Sequence, residues 1–300
     1  MKRRLIQLSP TTLAITLPKK WTEKNSLKKG VDLEVSEKGK GLLLEPKGPV
    51  SKEKATIDLQ RLGTFDKNFI STLYQAGYDE IDVIYDDPEI ITTIQKHIDT
   101  YCIGFDIVEQ TNSVLKIRSI ASEIQIEFEQ MYKKNIQIMA QMIKEIDEAV
   151  QKGDFSEIHL TRNLEERENK IQNLCLRYIS KKGFPMNRKA DRSAYALTRQ
   201  VEDIVDCMKR ICDSLDTGLS KPSKAYFKEV DAFVSNFYDM YYIGKKEHLH
   251  IFFDKGKHIQ EKGLKLIQKT QGKETVVIHH LIDIVDRIYA LHHTWFEIIN

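Results

Sequence analysis

The sequence predicts a multi-domain α+β protein, and three stretches of different hydrophobic periodicity support that prediction. Residues 1–50 alternate apolar and polar side chains with the period of two that is typical of β-strands. Residues 51–118 mix such alternation with short helical patterns, and residues 119–300 follow the 3.6-residue period of α-helices. A chain of 300 residues is also too long for one simple core. We therefore expect three domains, with boundaries near residues 50 and 118.

The first domain is predicted to be a ββαββ unit. Strands are expected at 3–8, 12–17, 31–36 and 42–44, with a short helix at 19–27. Pro18 suits the start of that helix, and Gly30 suits the turn that follows it. About 50 residues bury too little apolar surface to be stable alone, so we expect this unit to dimerise.

Positive charge is concentrated in the same unit. Residues 1–50 hold eleven Lys or Arg and five Asp or Glu, a net charge of +6, whereas the rest of the chain carries −4. A compact basic segment on a mildly acidic body indicates a module that binds a polyanion. On charge alone, a solvated basic surface explains the pattern equally well.

Two sequence runs in this unit favour the polyanion-binding module over the solvated basic surface. Residues 12–21 read TLAITLPKKW and residues 27–30 read LKKG, a combination that resembles the AbrB/SpoVT/MazE family of swapped-hairpin domains. The resemblance implies a dimeric β-barrel that interleaves hairpins from two chains and binds double-stranded DNA. Trp21 is then expected to be a core or dimer contact rather than a base-stacking residue. The candidate DNA-binding residues are Arg3, Arg4, Lys19, Lys20 and Lys24.

The second domain is predicted to follow the order βαβαββ. Strands are expected at 56–59, 79–85, 105–109 and 113–118, with helices at 67–76 and 88–98. It holds no glycine-rich phosphate loop and no catalytic constellation. The runs AGYDEI at 76–81 and IGFDIVEQ at 103–110 resemble the linker domain of archaeal proteins that join an AbrB-like head to a PhoU-like body. We interpret this small α/β domain as a spacer, with a ligand site as the alternative.

The third domain is predicted to be all helical. Six helices are expected, and short breaks group them into two three-helix bundles, repeats 119–219 and 220–300. The predicted helices span 122–151, 156–182, 188–219, 222–244, 247–270 and 275–299.

Two acidic residues on the third helix of this domain are candidate metal ligands. Glu202 and Asp206 are four residues apart, and like charges at this spacing repel, so the pair is either tolerated at the surface or relieved by a cation. The run VEDIVD at 201–206 resembles the Glu-x-x-x-Asp motif of the PhoU family, whose members bind metal clusters at the bundle surface. The resemblance adds Glu168 and Asp286 as ligands and implies a divalent or iron-type metal ion. The second repeat departs from the motif, because Ile282 replaces its glutamate.

A second face with metal-binding chemistry lies on the sixth helix. His279, Asp283, Asp286 and His293 share one side of it, and imidazole with carboxylate suits transition metals. The alternative is a solvated face with an Asp283–Arg287 ion pair.

The domain order resembles archaeal phosphate-uptake regulators. It implies a DNA-binding transcriptional regulator of phosphate uptake or homeostasis, acting as a homodimer, with a phosphate transporter ATPase or a signalling protein as a further partner. The alternative is a protein-interaction module, either a PhoU-type transporter regulator or an antitoxin-like domain without promoter function.

Several classes of protein are not expected. We see no nucleophile–base pair and predict that the protein is not an enzyme; a phosphodiesterase-like metalloenzyme is the remaining rival. The four cysteines lack CxxC spacing, which favours a reducing cytoplasm over a disulfide framework. No apolar run is long enough to predict insertion into a membrane.

Overall fold

The computed structural model describes residues 2–38, 41–46, 52–120, 127–243 and 249–300. The chain divides into two compact units, Met1–Lys54 and Ala55–Asn300. Residues 39–40, between the third and fourth predicted strands, and the first residues of the helices predicted from 122 and 247 lie outside the described residues. The predicted boundary at residue 118 falls inside the second unit and stays a prediction.

The first unit consists of two hairpins separated by a short helix. Strands β1 (Ile6–Ser9) and β2 (Thr12–Ala14) pair antiparallel, as do β3 (Leu33–Lys38) and β4 (Gly41–Pro46), and α1 (Lys19–Lys24) lies between the hairpins in sequence. The ββαββ order is therefore confirmed. Among the described residues the strands form two separate two-stranded sheets, so the closed barrel is not present in the single chain.

The second unit begins with the predicted α/β segment. Its elements are β5 (Lys54–Asp58), α2 (Leu59–Leu62), α3 (Asn68–Gln75), β6 (Glu80–Ile84), α4 (Ile90–Tyr101), β7 (Phe105–Gln110) and β8 (Val114–Ser119). The four strands form one sheet in the order β5-β6-β8-β7. The one-turn helix α2 was not predicted. Asp58 caps it by accepting a hydrogen bond of 3.2 Å from the backbone N–H of Arg61, and Gly63 ends it with a φ of 66°.

The rest of the second unit is helical. Its helices are α5 (Phe128–Lys152), α6 (Ile158–Arg162), α7 (Leu164–Lys182), α8 (Asp191–Ser214), α9 (Lys221–Ile243), α10 (Leu249–Ile267) and α11 (Gly272–Ile298). The second predicted helix is interrupted at Asn163, which separates α6 from α7. A 3₁₀ turn over Arg188–Ala190 precedes α8, so this helix begins three residues later than predicted.

The helices pack as two groups of three. Helices α5, α7 and α8 contact one another, as do α9, α10 and α11, and the most extensive contact joins α8 to α11. The 3.6-residue period places Leu197, Val201, Ile204 and Ile211 on one side of α8, and all four side chains are fully buried. These side chains belong to one continuous core that extends from Phe128 in α5 to Trp295 in α11.

A second, smaller core lies in the α/β segment. Ile81 and Val83 of β6 pack there with Leu115 and Ile117 of β8, and Tyr74 of α3 covers them. The unit therefore has two hydrophobic cores. Within the described ranges, no helix is sufficiently long and apolar to cross a membrane.

Candidate functional site

The N-terminal unit has almost no interior of its own. Across residues 2–38 and 41–46, no described side chain is buried. Leu13 is 62% exposed, although the alternation of its strand predicts an apolar inner face, and Leu42 of β4 is 67% exposed. Exposed apolar area of this extent marks a surface that another chain covers. The hairpins therefore carry apolar side chains suited to a core, but a single copy of the unit leaves these side chains exposed.

Helix α1 positions two of the candidate DNA-binding residues. Pro18 precedes it with a φ of −64°, and the Pro18 carbonyl accepts hydrogen bonds from the N–H groups of Trp21 and Thr22 at 2.9 and 3.1 Å. Proline has a fixed φ that suits the start of a helix, and its missing N–H costs no hydrogen bond there because the first N–H groups of a helix have no partner within it. This start places Lys19 and Lys20 in the first turn, with both side chains exposed.

The remaining candidate cations of this unit occupy different positions. Strand β1 begins at Ile6, three residues later than predicted, so Arg3 and Arg4 precede the strand instead of opening it. Both are exposed, and the side chain of Lys24 lies outside the described part of the chain. Lys19 approaches Glu23 at 3.6 Å, a solvent-exposed contact of small energy.

Sequence reasoning omitted Lys28 and Lys29 from this set. Both are exposed in the loop that follows α1, where Gly30 adopts a φ of 91° and the N–H of Val31 donates to the Lys28 carbonyl at 3.2 Å. Their place between α1 and β3 in the basic segment was a signal that could have added them. Trp21 is half-buried, which fits a packing role better than an exposed stacking platform.

The predicted acidic ligands of the helical body centre on Glu168. This residue of α7 is fully buried, and neither of its carboxylate oxygens has a hydrogen-bond partner among the described residues. Burial raises the pKa of Glu168 well above its usual value, and the charges of Glu202 and Glu165 raise it further. A buried carboxyl without partners is costly in its charged form unless a cation accompanies it.

Glu202 and Asp206 approach Glu168 from α8. Burial raises the pKa of Glu202 and the Asp206 charge adds to that effect, whereas Arg199 opposes it. Asp206 lies 3.6 Å from Arg210, the neutralising contact that the four-residue spacing suggests. The oxygens of Glu168, Glu202 and Asp206 are not all within 4.8 Å of one another in the described structure. Metal coordination by all three would therefore need side-chain movement.

Glu165 is a further acid of this cluster that sequence reasoning missed. It lies one turn before Glu168 on α7, is buried, and accepts hydrogen bonds from Asn169 and Lys209 at 2.6 and 2.9 Å. Its spacing of three residues from Glu168 was an available signal. We call Glu165, Glu168, Glu202 and Asp206 the acidic cluster.

Asp286 belongs to a different neighbourhood. On α11, it accepts a hydrogen bond of 2.5 Å from Gln260 of α10, and burial raises its pKa. The Asp283 charge also raises the pKa of Asp286. The charges that shift the pKa of Glu168 come from other residues: Glu202, Glu165, Asp206 and Arg199. The structure thus brings Glu168, Glu202 and Asp206 into one electrostatic cluster and leaves Asp286 outside it.

The polar face of α11 was expected either to bind a metal or to form an Asp283–Arg287 ion pair, and its contacts differ from both. His279 lies 3.7 Å from Asp283, but Arg287 donates a hydrogen bond of 2.9 Å to Asp203 of α8. The Asp283–Arg287 ion pair expected from spacing is wrong, because the neighbouring helix supplies a better-placed carboxylate. Asp283 also approaches two side chains that sequence reasoning did not combine, Cys207 of α8 and His280 of α11.

Comparison with known proteins bears on the first unit alone. Residues 7–52 match the family model described as Antidote-toxin recognition MazE, bacterial antitoxin. No curated protein and no solved structure matches the chain. The match covers most of the ββαββ unit and includes the LPKKW and LKKG runs. Residues 7–52 are therefore a MazE/AbrB-like domain, of a type that dimerises and binds DNA.

Proposed function

We propose that this chain is a DNA-binding transcriptional regulator that controls phosphate uptake or phosphate homeostasis. The observation that carries the first half is the MazE/AbrB-like domain at residues 7–52, whose unit bears a net charge of +6. The phosphate role and a PhoU-like sensory function of the helical body rest on the resemblance of VEDIVD at 201–206 and on the domain order.

Dimerisation supports DNA binding through charge as well as through folding. Two copies of the unit would present twice the +6 charge of one, on a surface formed by paired hairpins. Basic side chains that contact phosphates release counterions from DNA, which gives sequence-independent affinity and a strong dependence on salt. The exposed Arg3, Arg4, Lys19 and Lys20 have the chemistry for such contacts, and Lys24 is proposed with them.

Salt-dependent binding of duplex DNA by the full chain tests this proposal. Lys19→Ala combined with Lys20→Ala should weaken binding to all duplexes and reduce the slope of log K against log salt by about one for each lost phosphate contact. The matched control is Lys265→Ala with Lys269→Ala, two exposed lysines of the helical body. A slope that is the same in the wild type and the Lys19/Lys20 variant removes these lysines from the interface. Absence of DNA binding by the wild type contradicts the proposal itself.

The second candidate function is an antitoxin-like module whose partner is a protein. The name of the matching family and the exposed apolar side chains of the hairpins favour it. Capture of a phosphate transporter ATPase or a signalling protein, with no DNA binding, would favour a PhoU-type interaction role instead. Mapping the genomic sites that the protein occupies with and without phosphate would discriminate these roles, because only a promoter-binding regulator would occupy sites that change with phosphate.

We further propose that Glu168, Glu202 and Asp206 hold a divalent or iron-type cation, with Asp286 outside the immediate set. What supports this is the buried Glu168 carboxyl, whose two oxygens lack partners among the described residues. Oxygen ligands favour Mg²⁺, Ca²⁺ or Mn²⁺, whereas iron commonly takes histidine as well. The role proposed for this metal is regulatory and not catalytic, and a cytoplasmic location remains part of the proposal.

A further inference from the structure

The contact between α8 and α11 brings together three side chains that can ligate a metal. Cys207 projects from α8, and His280 and Asp283 lie three residues apart on one side of α11. One ligand atom from each side chain lies within 4.8 Å of the other two. These residues differ from the acidic cluster in both position and chemistry, since they combine sulfur, nitrogen and oxygen ligands.

Two of the three groups lack an evident structural use. Cys207 is fully buried and is a free thiol. The Nδ1 atom of His280 is buried and has no hydrogen-bond partner among the described residues. Buried polar atoms normally have a partner, and an orphaned one calls for an explanation such as a missing ion. Asp283 is about one-third exposed and offers a carboxylate at the rim.

We propose that Cys207, His280 and Asp283 bind a zinc ion that links α8 to α11. Zinc is bound by thiolate, imidazole and carboxylate ligands, with Zn–S distances of about 2.3 Å and Zn–N or Zn–O distances of about 2.0 to 2.2 Å. Tetrahedral geometry at those lengths holds ligand atoms roughly 3.5 Å apart, so the ligand atoms, which lie within 4.8 Å of one another, need to approach by at most about 1.3 Å. The fourth position is left for water.

The positive charges closest to the proposed ligands have carboxylate partners of their own. Arg287 and Arg210 act electrostatically on Cys207, and His279 approaches Asp283 at 3.7 Å. Arg287 donates a hydrogen bond of 2.9 Å to Asp203, and Arg210 lies 3.6 Å from Asp206. Each guanidinium group is therefore paired with a carboxylate other than Asp283.

Such a site would join the two groups of helices at their largest shared contact. Cys207 belongs to the group of α5, α7 and α8, and the other two ligands belong to the group of α9, α10 and α11. Zinc would then strengthen the packing of one group on the other. This consequence is independent of whether the first unit binds DNA or a protein.

The test uses the reduced full-length chain and Co²⁺ as a spectroscopic substitute for zinc. The wild type should bind one Co²⁺ with a thiolate-to-cobalt charge-transfer band in the near ultraviolet, and Zn²⁺ should abolish the band. Cys207→Ser should abolish it. Asp283→Asn and His280→Gln should weaken binding by at least about 10- to 100-fold, the loss that outer-shell changes alone can cause. Cys212→Ser and His293→Gln are matched controls on the same two helices and should keep the band.

Circular dichroism of the metal-free variants establishes that each is folded. Asp283→Asn changes a partly exposed side chain, so it preserves the test if Cys207→Ser destabilises the core. A wild type without a thiolate band overturns the proposal. So does a band that survives Cys207→Ser or disappears in Cys212→Ser.

Discussion

Arg177 of α7 donates a hydrogen bond of 2.6 Å to the Oδ1 atom of Asp79, and both side chains are largely buried. The guanidinium also donates to the carbonyls of Tyr74 and Tyr78 at 3.1 and 2.6 Å and lies over the rings of Tyr74 and Phe105. These contacts satisfy a buried cation with a carboxylate, two carbonyls and two aromatic faces. They also attach the α/β segment to the helical body, so the predicted spacer is packed against α7.

Removal of the Arg177 cation should destabilise the second unit severely. Arg177→Gln leaves the buried Asp79 carboxylate with Lys181 as a partner at 2.5 Å but removes the two carbonyl contacts. We expect a loss of about 3–5 kcal/mol in the free energy of unfolding, the usual cost of breaking a buried pair. Urea denaturation of the full chain measures it.

The matched control for Arg177 is Arg61→Gln. Arg61 pairs with Asp58 at 3.3 Å, but its side chain is 87% exposed. Its removal should cost less than about 1 kcal/mol, as for other exposed pairs. Equal effects of the two substitutions would show that the Arg177 contacts contribute no more than a surface ion pair.

Periodicity predicted the elements of this fold better than it predicted their contacts. The apolar stripe of α8 from Ala194 to Cys212 is buried as the 3.6-residue spacing indicates. Glu168 was expected as a metal ligand only through the family resemblance, and its full burial was not predicted, because α7 packs against α3, α4, α5 and α8. Burial of that carboxyl depends on helices distant in sequence, which a pattern within one helix does not contain.

The approach of Cys207 to His280 has a similar explanation. The two residues belong to helices separated by α9 and α10, and their distance depends on how α8 and α11 are aligned along their lengths. That alignment follows from the fit of side chains into the facing helix. In contrast, the helix break at Asn163 and the one-turn helix α2 were missed because their signals are local and short.

Dimerisation of the N-terminal unit should depend on its exposed apolar side chains. Leu13→Glu places a charge on a strand residue that is 62% exposed in the single chain and is expected to be covered in the dimer. Burying an unpaired carboxylate costs free energy, so the dimer of the full chain should dissociate into monomers at micromolar concentration. The Tm should then no longer rise with protein concentration. Sedimentation velocity and thermal melting over a concentration series measure these effects.

Leu160→Glu provides the comparison for Leu13. Leu160 is 54% exposed on α6 of the helical body, outside the unit expected to dimerise. Its substitution should leave sedimentation unchanged. A Leu13→Glu chain that sediments and melts as the wild type does would contradict the swapped-hairpin dimer.

Metal binding at the acidic cluster should stabilise the helical body. At a free Mn²⁺ concentration of about 100 times Kd, the wild type should gain about 2.7 kcal/mol. Glu202→Gln with Asp206→Asn removes two of the proposed ligands and should abolish that gain. Mn²⁺ favours oxygen ligands, so the measurement distinguishes this cluster from the thiolate site.

Two exposed acids elsewhere give the control for that measurement. Glu148→Gln with Glu261→Gln removes the same number of charges from exposed positions and should keep the full gain. Differential scanning calorimetry with and without Mn²⁺ compares the three proteins. If the Glu202/Asp206 variant gains as much as the wild type, the acidic cluster is not the site.

Acid should destabilise the α/β segment through His97. This histidine of α4 is buried, and its Nε2 atom lies 3.2 Å from the Ser71 hydroxyl. Burial lowers its pKa from 6.5 to about 4. The Lys67 charge lowers the pKa further, and the Asp66 charge opposes the shift. Between pH 6.5 and 4, His97 is therefore protonated in the unfolded chain but neutral in the folded chain. The contribution of His97 to stability is complete above pH 6.5 and is lost as the pH drops towards 4, by on the order of 3 kcal/mol.

Replacement of the imidazole should remove this pH dependence. His97→Gln keeps a polar side chain near Ser71 but cannot take up the proton, so its stability should vary less than that of the wild type between pH 6.5 and 4. His159→Gln alters an exposed histidine of α6 and should follow the wild-type curve. Urea unfolding at half-unit pH intervals, monitored by circular dichroism, compares the three. If the wild type and His97→Gln vary equally with pH, His97 accepts its proton in the folded state, against the effect of its burial.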